Sequence, residues 1–305
     1  MKIKRVPVCV IGAANTDLIG FPNDRLIFND SNKGQIRMLP GGVGRNVAEN
    51  LSRLHLDVSL ISIFGNDYFY DFIRKHSENL HIDLSDSIVL EGQSSAVFSA
   101  ILNRGNDLAV AIADMHIYDN IKPDQFMRDF PSLEKAEVVV METNFPSSVL
   151  DYLVNRFPDK KWIADTVSGD KAKRIEAVYD RLAVLKTNLI EAEILTGMSA
   201  RTTDYRDMVQ FFLDEGVENV FLTLGKEGVI YGNKQKIAYQ PPVPGRVLNT
   251  IGAGDAFLSG VVFGFVNQFD LDKMATMGLR AAGLTVQSER VVSEEISPEK
   301  LLQDQ

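Results

Sequence analysis

Cysteine is almost missing from this sequence: Cys9 stands alone among 305 residues. One cysteine cannot close a disulfide within the chain or build a cysteine-only zinc site, and it suits a reducing compartment. Basic charge is also scarce. The 32 Lys and Arg are outnumbered by 41 Asp and Glu, for a net charge of −9. Proteins that grip nucleic acid cluster Lys and Arg against the phosphate backbone, so nucleic acid is excluded as the main partner. A small phosphate-bearing ligand is not excluded, because backbone N–H groups can hold one without a basic surface. Long apolar runs are absent too. The longest, "AFLSGVVFGFV" from Ala256, falls well short of the ~20 residues that cross a bilayer, so no membrane partner is expected. The basic start "MKIKR" and the apolar residues after it break quickly into Asn15, Thr16 and Asp17. That reads as a first buried strand rather than a signal peptide, and cytoplasmic residence is the expectation.

What is present is 45% apolar composition, enough for a large core. Short apolar runs alternate with helical spacing, the pattern of a layered α/β fold around a largely parallel sheet. "VPVCVIGAA", "VSLISIFG", "EVVVMETN", "KWIADTVS", "AVLKTN" and "NVFLTLG" read as strands. "GRNVAENLSRL" and the stretches near 147–156, 171–179, 189–196, 204–215, 256–266 and 271–287 read as helices. Two segments break the rhythm. Residues 18–39 are polar and irregular; residues 94–114 suggest two half-buried strands around a turn at 104–107. They form either a small sheet outside the main layers, such as a lid, or an extension of the main sheet's edge.

Candidate chemistry clusters where strands give way to helices. In Gly252-Ala253-Gly254-Asp255 the glycines let successive N–H groups converge on an anion, and the helix that follows adds its positive end. A carboxylate beside such a cradle makes sense as a base for an attacking hydroxyl; it is equally an acidic helix start after a glycine turn. "LPGGVGRN" puts Gly41 and Gly42 before a helix with Asn46 one turn in, where backbone and amide could meet a polyol, or where Asn46 simply faces solvent. "IGAANTD" ends the first strand with Asn15 and Asp17, at the strand end where ligands bind in parallel sheets, though an ordinary Asx turn has the same look. Asn188 and Glu191 could face a hydrated Mg2+, but read alone they are a capping box. "TLGKEG", with Thr223, Gly225 and Gly228, could flank a nucleotide or merely turn a hairpin. G-x-G-x-x-G fails at Phe257 and at Val47, and no Walker loop occurs. The four His show no metal-ligand spacing and read as surface or packing residues.

The order and spacing of these motifs carry more than each alone. From "NTD" at 15–17 and "GGVGRN" at 41–46, through "NLIEAE" at 188–193 and "TLGKEG" at 223–228, to "NTIGAGDAFLSG" at 249–260, the chain resembles the ribokinase (PfkB) family of carbohydrate and nucleoside kinases. The resemblance implies one ribokinase-like kinase domain over residues 1–305. Its three-layer α/β/α fold would have a mostly parallel central sheet and a small β-sheet lid from about 18–39 and 94–114. It implies ATP-dependent phosphorylation of a primary hydroxyl, with Asp255 as base and the amides of Gly252, Ala253, Gly254 and Asp255 as anion hole. Asn188 and Glu191 would orient Mg2+ through water, and Asn188, Thr223, Gly225 and Gly228 would border the nucleotide. Asn15, Asp17, Gly41, Gly42 and Asn46 would bind the sugar. Asn249 stands where many members carry Asp beside a monovalent-cation loop, which leaves K+ activation an open question. "GGVGRN", "LAVAIADMHI" and "ADTVSGDK" look most like pseudouridine kinases, implying a 5′-hydroxyl acceptor, with Asp114 in the lid and Asp165 and Ser168 at the floor. Ribose, fructose or another nucleoside, and a non-catalytic metabolite sensor, are the rival readings. Lids in this family often pair two subunits, and Val97, Ser99 and Ile101 would face a second copy in a homodimer.

Overall fold

The computed structural model describes residues 5–105 and 107–303. In chain order its strands are β1 (Pro7–Ile11), β2 (Asn15–Pro22), β3 (Gly34–Gly41), β4 (Asp57–Ile61), β5 (Ile63–Gly65), β6 (Ile88–Leu90) and β7 (Val97–Leu102). There follow β8 (Leu108–Asp114), β9 (Val138–Glu142), β10 (Lys161–Asp165), β11 (Leu182–Asn188), β12 (Asn219–Thr223), β13 (Val229–Asn233) and β14 (Lys236–Gln240). The main sheet runs β14-β13-β12-β11-β10-β9-β1-β4. From β4 to β12 every pairing is parallel, and β13 and β14 close one edge antiparallel.

Strands covered on both faces have no polar side to show, which is why they read as unbroken apolar runs. Alternate residues divide between two cores as the pleat requires. Cys9, Ile11, Val139 and Met141 pack with helices Ser147–Arg156 and Tyr205–Asp214 on one face. Val8, Val10, Val138 and Val140 pack with helices Val43–Arg53, Ala253–Val266 and Leu271–Val286 on the other.

A second sheet stands apart, in the order β3-β2-β7-β8, so the small separate sheet is the alternative realised. Residues 18–39, expected to be irregular, supply most of β2 and β3, with a loop between them. β3 is largely exposed, so it has no buried face to impose apolar alternation, and Gly20 and Pro22 disguise β2. The turn at 104–107 joins β7 to β8, with Asn106 outside the described residues. "VSLISIFG" divides at Ser62 into β4 and β5. The helix expected at 171–179 is an α-turn, Gly169–Ala172, continued as the 3-10 helix Lys173–Arg181. Helix Tyr68–Asn79, capped by Asp67, was not anticipated.

Among the described residues no helix is long and apolar enough to cross a membrane. An open groove lined by Val6, Phe265, Phe269 and Met274 lies at the amino ends of the strands, the opposite end from the motifs described above.

Candidate active site

The carboxyl ends of the parallel strands gather the polar residues. After β1 the chain turns through Gly12, Ala13 and Ala14, and this corner is held tightly. The Ala13 amide donates to the buried Glu142 carboxylate; the Ala14 amide donates to Ser62 Oγ at 3.1 Å and Tyr118 Oη at 2.8 Å; and Tyr118 returns a bond to the Ala14 carbonyl at 2.9 Å. Asn15 and Asp17 follow as the first residues of β2, with Asn15 Nδ2 donating to Asp17 Oδ1 at 2.6 Å. Burial pushes the Asp17 carboxyl up, against the Asn15 bond and the Arg45 charge. Gly41 lies directly opposite Asn15 on β3, so close to Asp17 that a Cβ there would sit 2.5 Å from Oδ1. Gly42, with φ +98°, turns β3 into helix Val43–Arg53.

That helix delivers Asn46 to Asp255. Asn46 Nδ2 donates to Asp255 Oδ2 at 2.6 Å, across 209 residues of sequence. Gly252 caps helix Ala253–Val266 in the left-handed region (φ +80°), and a side chain there would also strike the Val291 carbonyl. Only glycine meets both demands. The amides of Gly252, Gly254 and Asp255 have no hydrogen-bond partner among the described residues, whereas Ala253 donates to Thr250 O at 3.3 Å. A helix start with open donors and a positive dipole end is an anion site. Asp255 is half-buried, and its pKa is pushed up to about 7, chiefly by burial and by the Asp165 charge. The Asn46 bond, Lys186 and Arg45 act in the opposite sense.

Lys186, which the sequence reading passed over as part of a strand, lies beneath this helix start. Its Nζ is 3.0 Å from Asp165 Oδ2 and 3.2 Å from Oδ1. A Cβ on Gly254 would come within 3.0 Å of that ammonium. Both partners are buried, the side chains exposing only 7% and 1%. Burial alone would lower the ammonium's pKa, but Asp165, Glu191 and Asp255 together hold it above its ordinary value. A single charged residue inside "AVLKTN" was the available signal, since an interior lysine has to be paired.

Asn188 and Glu191 form the capping box. The Asn188 side chain accepts from the Glu191 amide at 3.0 Å, the Glu191 carboxylate accepts from the Asn188 amide at 3.0 Å and from Asn188 Nδ2 at 2.6 Å, and Thr166 Oγ1 donates to it as well. Thr223 lies opposite Asn188 in the sheet register and donates to Thr187 O at 3.2 Å; Gly225 (φ +59°) and Gly228 (φ +94°) shape the turn that follows. Ser168 begins helix Gly169–Ala172 after Val167, a β-branched residue held at φ +58°, whose amide donates to Asp165 Oδ1 at 2.9 Å. Asp114 is the one candidate set apart. It ends β8 at the edge of the small sheet, exposed, with its carboxylate bonded to His116 Nδ1 at 3.0 Å. Sequence reasoning also missed Glu142, Ser62 and Tyr118, which fix the corner before Asn15.

Residues 7–297 match the family described as pfkB family carbohydrate kinase. The chain belongs to that family. It is similar to the pseudouridine kinase of Escherichia coli (strain K12), at 28% identity over 256 residues that cover 83% of this chain and 82% of that protein. It is also similar to the uncharacterized sugar kinase YeiI of the same strain, at 28% over 278 residues, 90% of this chain and 77% of that protein. A carbohydrate kinase from Agrobacterium tumefaciens has the same fold with a TM-score of 0.87 at 26% identity, covering 96% of this chain and 95% of that one. Arabidopsis thaliana ribokinase complexed with ribose and ATP gives a TM-score of 0.83 at 20% identity, covering 99% and 100%, a likeness of fold. As a pfkB-family carbohydrate kinase, the protein is a phosphotransferase for sugar or nucleoside acceptors.

Proposed function

We propose that this kinase transfers the terminal phosphoryl group of ATP to the 5′-hydroxyl of pseudouridine, with Asp255 as the base. The observation that carries the chemistry is the pairing of Asp255 with open amides at one helix start. The hydroxyl oxygen attacks the terminal phosphorus, the bond to the bridging oxygen of ADP breaks, and the hydroxyl proton passes to the Asp255 carboxylate. The amides of Gly252, Gly254 and Asp255 neutralise charge on the moving phosphoryl oxygens; Ala253, expected to share in this, spends its amide on Thr250. Little else is needed, because phosphoryl transfer is mostly positioning and charge neutralisation.

Asn15, Asp17, Gly41, Gly42 and Asn46 line the sugar's side of the site, and Asp165 and Ser168 its floor. Asp114 would join them only if the small sheet closes as a lid. Thr223, Gly225 and Gly228 border the nucleotide. Among the described residues no three His, Cys, Asp or Glu side chains group to hold a metal ion, so a phosphate-borne Mg2+ would arrive with the nucleotide and supply charge neutralisation there. Both Glu191 oxygens are already hydrogen-bonded, so Asn188 and Glu191 would act on it through water rather than as direct ligands.

The acceptor assignment rests on similarity to the pseudouridine kinase and on "GGVGRN" and "ADTVSGDK". An ATP-coupled screen of pseudouridine, uridine, other nucleosides, ribose and fructose should give the highest kcat/KM on pseudouridine. Turnover of ribose or fructose with none on pseudouridine would reject the assignment. A metabolite sensor has no use for a base, and Asp255 argues against one.

The small sheet supports a homodimer. Ile36, Gly20, Ile101 and Val110 form one cross-strand row, and Met38, Leu18, Ser99 and Ile112 the next. The pleat places this face opposite the one that carries Asp17. Ile36 and Ile112 are more than 70% exposed, an unusual cluster for a free surface. A second copy covers it in this proposal. Sedimentation at micromolar concentration should show a dimer that Ile112→Asp converts to monomer; a monomeric wild type would end the idea.

A further inference from the structure

Arg45 is among the largest fully buried side chains, 1% exposed, although burying a charge is costly unless it is paired and hydrogen-bonded. All three of its guanidinium nitrogens are engaged. Its Nη2 donates to the Pro40 carbonyl at 2.7 Å and to Asn46 Oδ1, its Nη1 to Glu49 Oε2, and its Nε reaches the Gly41 carbonyl at 3.4 Å. Two of these acceptors belong to the end of β3 in the small sheet, and a third is the side chain that touches Asp255.

The chemistry of the fork decides how Asn46 is turned. A guanidinium only donates, so the atom of the Asn46 amide that faces it has to be the oxygen. The nitrogen is thereby directed at Asp255, which receives a donor and not an acceptor. A donor favours the ionised carboxylate, the form a base needs; an acceptor would favour the protonated acid.

We propose that Arg45 is a positioning residue: by fixing the Asn46 amide it sets the protonation state of Asp255, and by holding the Pro40 and Gly41 carbonyls it ties that setting to the sugar-binding end of the small sheet. Its catalytic significance rests on the kinase reading, but the arrangement itself can be tested without turnover. Besides Arg45 and Asn46, the groups facing Asp255 are Asp165 from β10 and Lys186 from β11, and neither changes in the variant. Glu49 is not stranded when Arg45 is replaced, because Arg53 donates to it at 2.8 and 3.1 Å and His76 lies at 3.1 Å.

The test is a carboxyl 13C NMR titration of the full chain labelled at aspartate, with the Asp255 signal assigned through Asp255→Asn. In folded Arg45→Gln, which removes the fork together with a charge that itself lowers the Asp255 pKa, the midpoint is expected to rise by about one unit, and in folded Arg45→Lys, which keeps that charge, a rise isolates the turning of Asn46. An unchanged midpoint in either folded variant would overturn the proposal. Should neither variant fold, the wild type still decides. The Asn46 side-chain 15N signal, assigned through Asn46→Ser, should titrate together with Asp255, and an Asn46 signal indifferent to that titration would contradict the orientation. Absence of kinase activity in the wild type would overturn the catalytic reading while leaving these midpoints to judge the arrangement.

Discussion

Asp255→Asn is expected to lower turnover on the best acceptor by on the order of 10³-fold, with acceptor binding retained, since a positioned base contributes about 10²–10⁴-fold. Asparagine keeps the shape of the side chain and still bonds to a neighbour, so the loss isolates the proton-accepting step. The wild type's own pH profile belongs to the same prediction. With a pKa near 7, the base is protonated and idle in acid, so kcat/KM should rise through about pH 7 and level off above it. Stability should move the other way. An unfolded Asp titrates near ~3.9. Between that value and about 7 the folded chain holds a proton that the unfolded chain has lost. Asp255 therefore makes stability fall as pH rises through this window. Asp255→Asn removes that slope, so the variant should melt higher than wild type at pH 8. A variant with wild-type turnover, or with a lower melting temperature at pH 8, would contradict this account of the carboxylate.

Lys186→Met should be the most damaging single change to stability. It leaves Asp165, 1% exposed, as a buried charge without its ammonium, and breaking such a pair costs about 3–5 kcal/mol. Removing both charges in Lys186→Met/Asp165→Asn should recover most of the loss, because the desolvation cost disappears with the pair. The two single variants also separate by their effect on Asp255, which Asp165 raises and Lys186 lowers. The acid limb of kcat/KM should move down in pH for Asp165→Asn and up for Lys186→Met. Denaturant unfolding and pH–rate profiles read these effects; shifts in the same direction would mean that the pair does not act on Asp255 as its geometry implies.

The parallel sheet was legible because a strand buried on both faces writes itself as an apolar run, as in "VVVM" of β9 and "VCVI" of β1. Helices Ser147–Arg156 and Leu189–Thr196 were legible to the residue, the second through its capping box and Gly197. β2 and β3 were not, since a strand with much of its surface in water is under no pressure to alternate. In the site, Asp255, Asn46 and Asp17 stood out as residue types beside glycine turns. Their partnerships did not. Nothing local joins Asn46 to Asp255 over so much chain, or turns the Arg45 fork toward Pro40. Lys186 and Glu142 carried a readable sign, a charge interrupting an apolar strand, whereas Tyr118 became part of the site only through the corner it closes.

The central claim is that the open amides of Gly252, Gly254 and Asp255 receive the phosphoryl group in transit. A crystal structure with a non-hydrolysable ATP analogue and the acceptor tests it most directly. The account predicts the terminal phosphate within hydrogen-bonding distance of the Gly254 and Asp255 amides, and the acceptor hydroxyl on Asp255. A terminal phosphate bound away from that helix start, with Asp255 touching neither substrate, would contradict it.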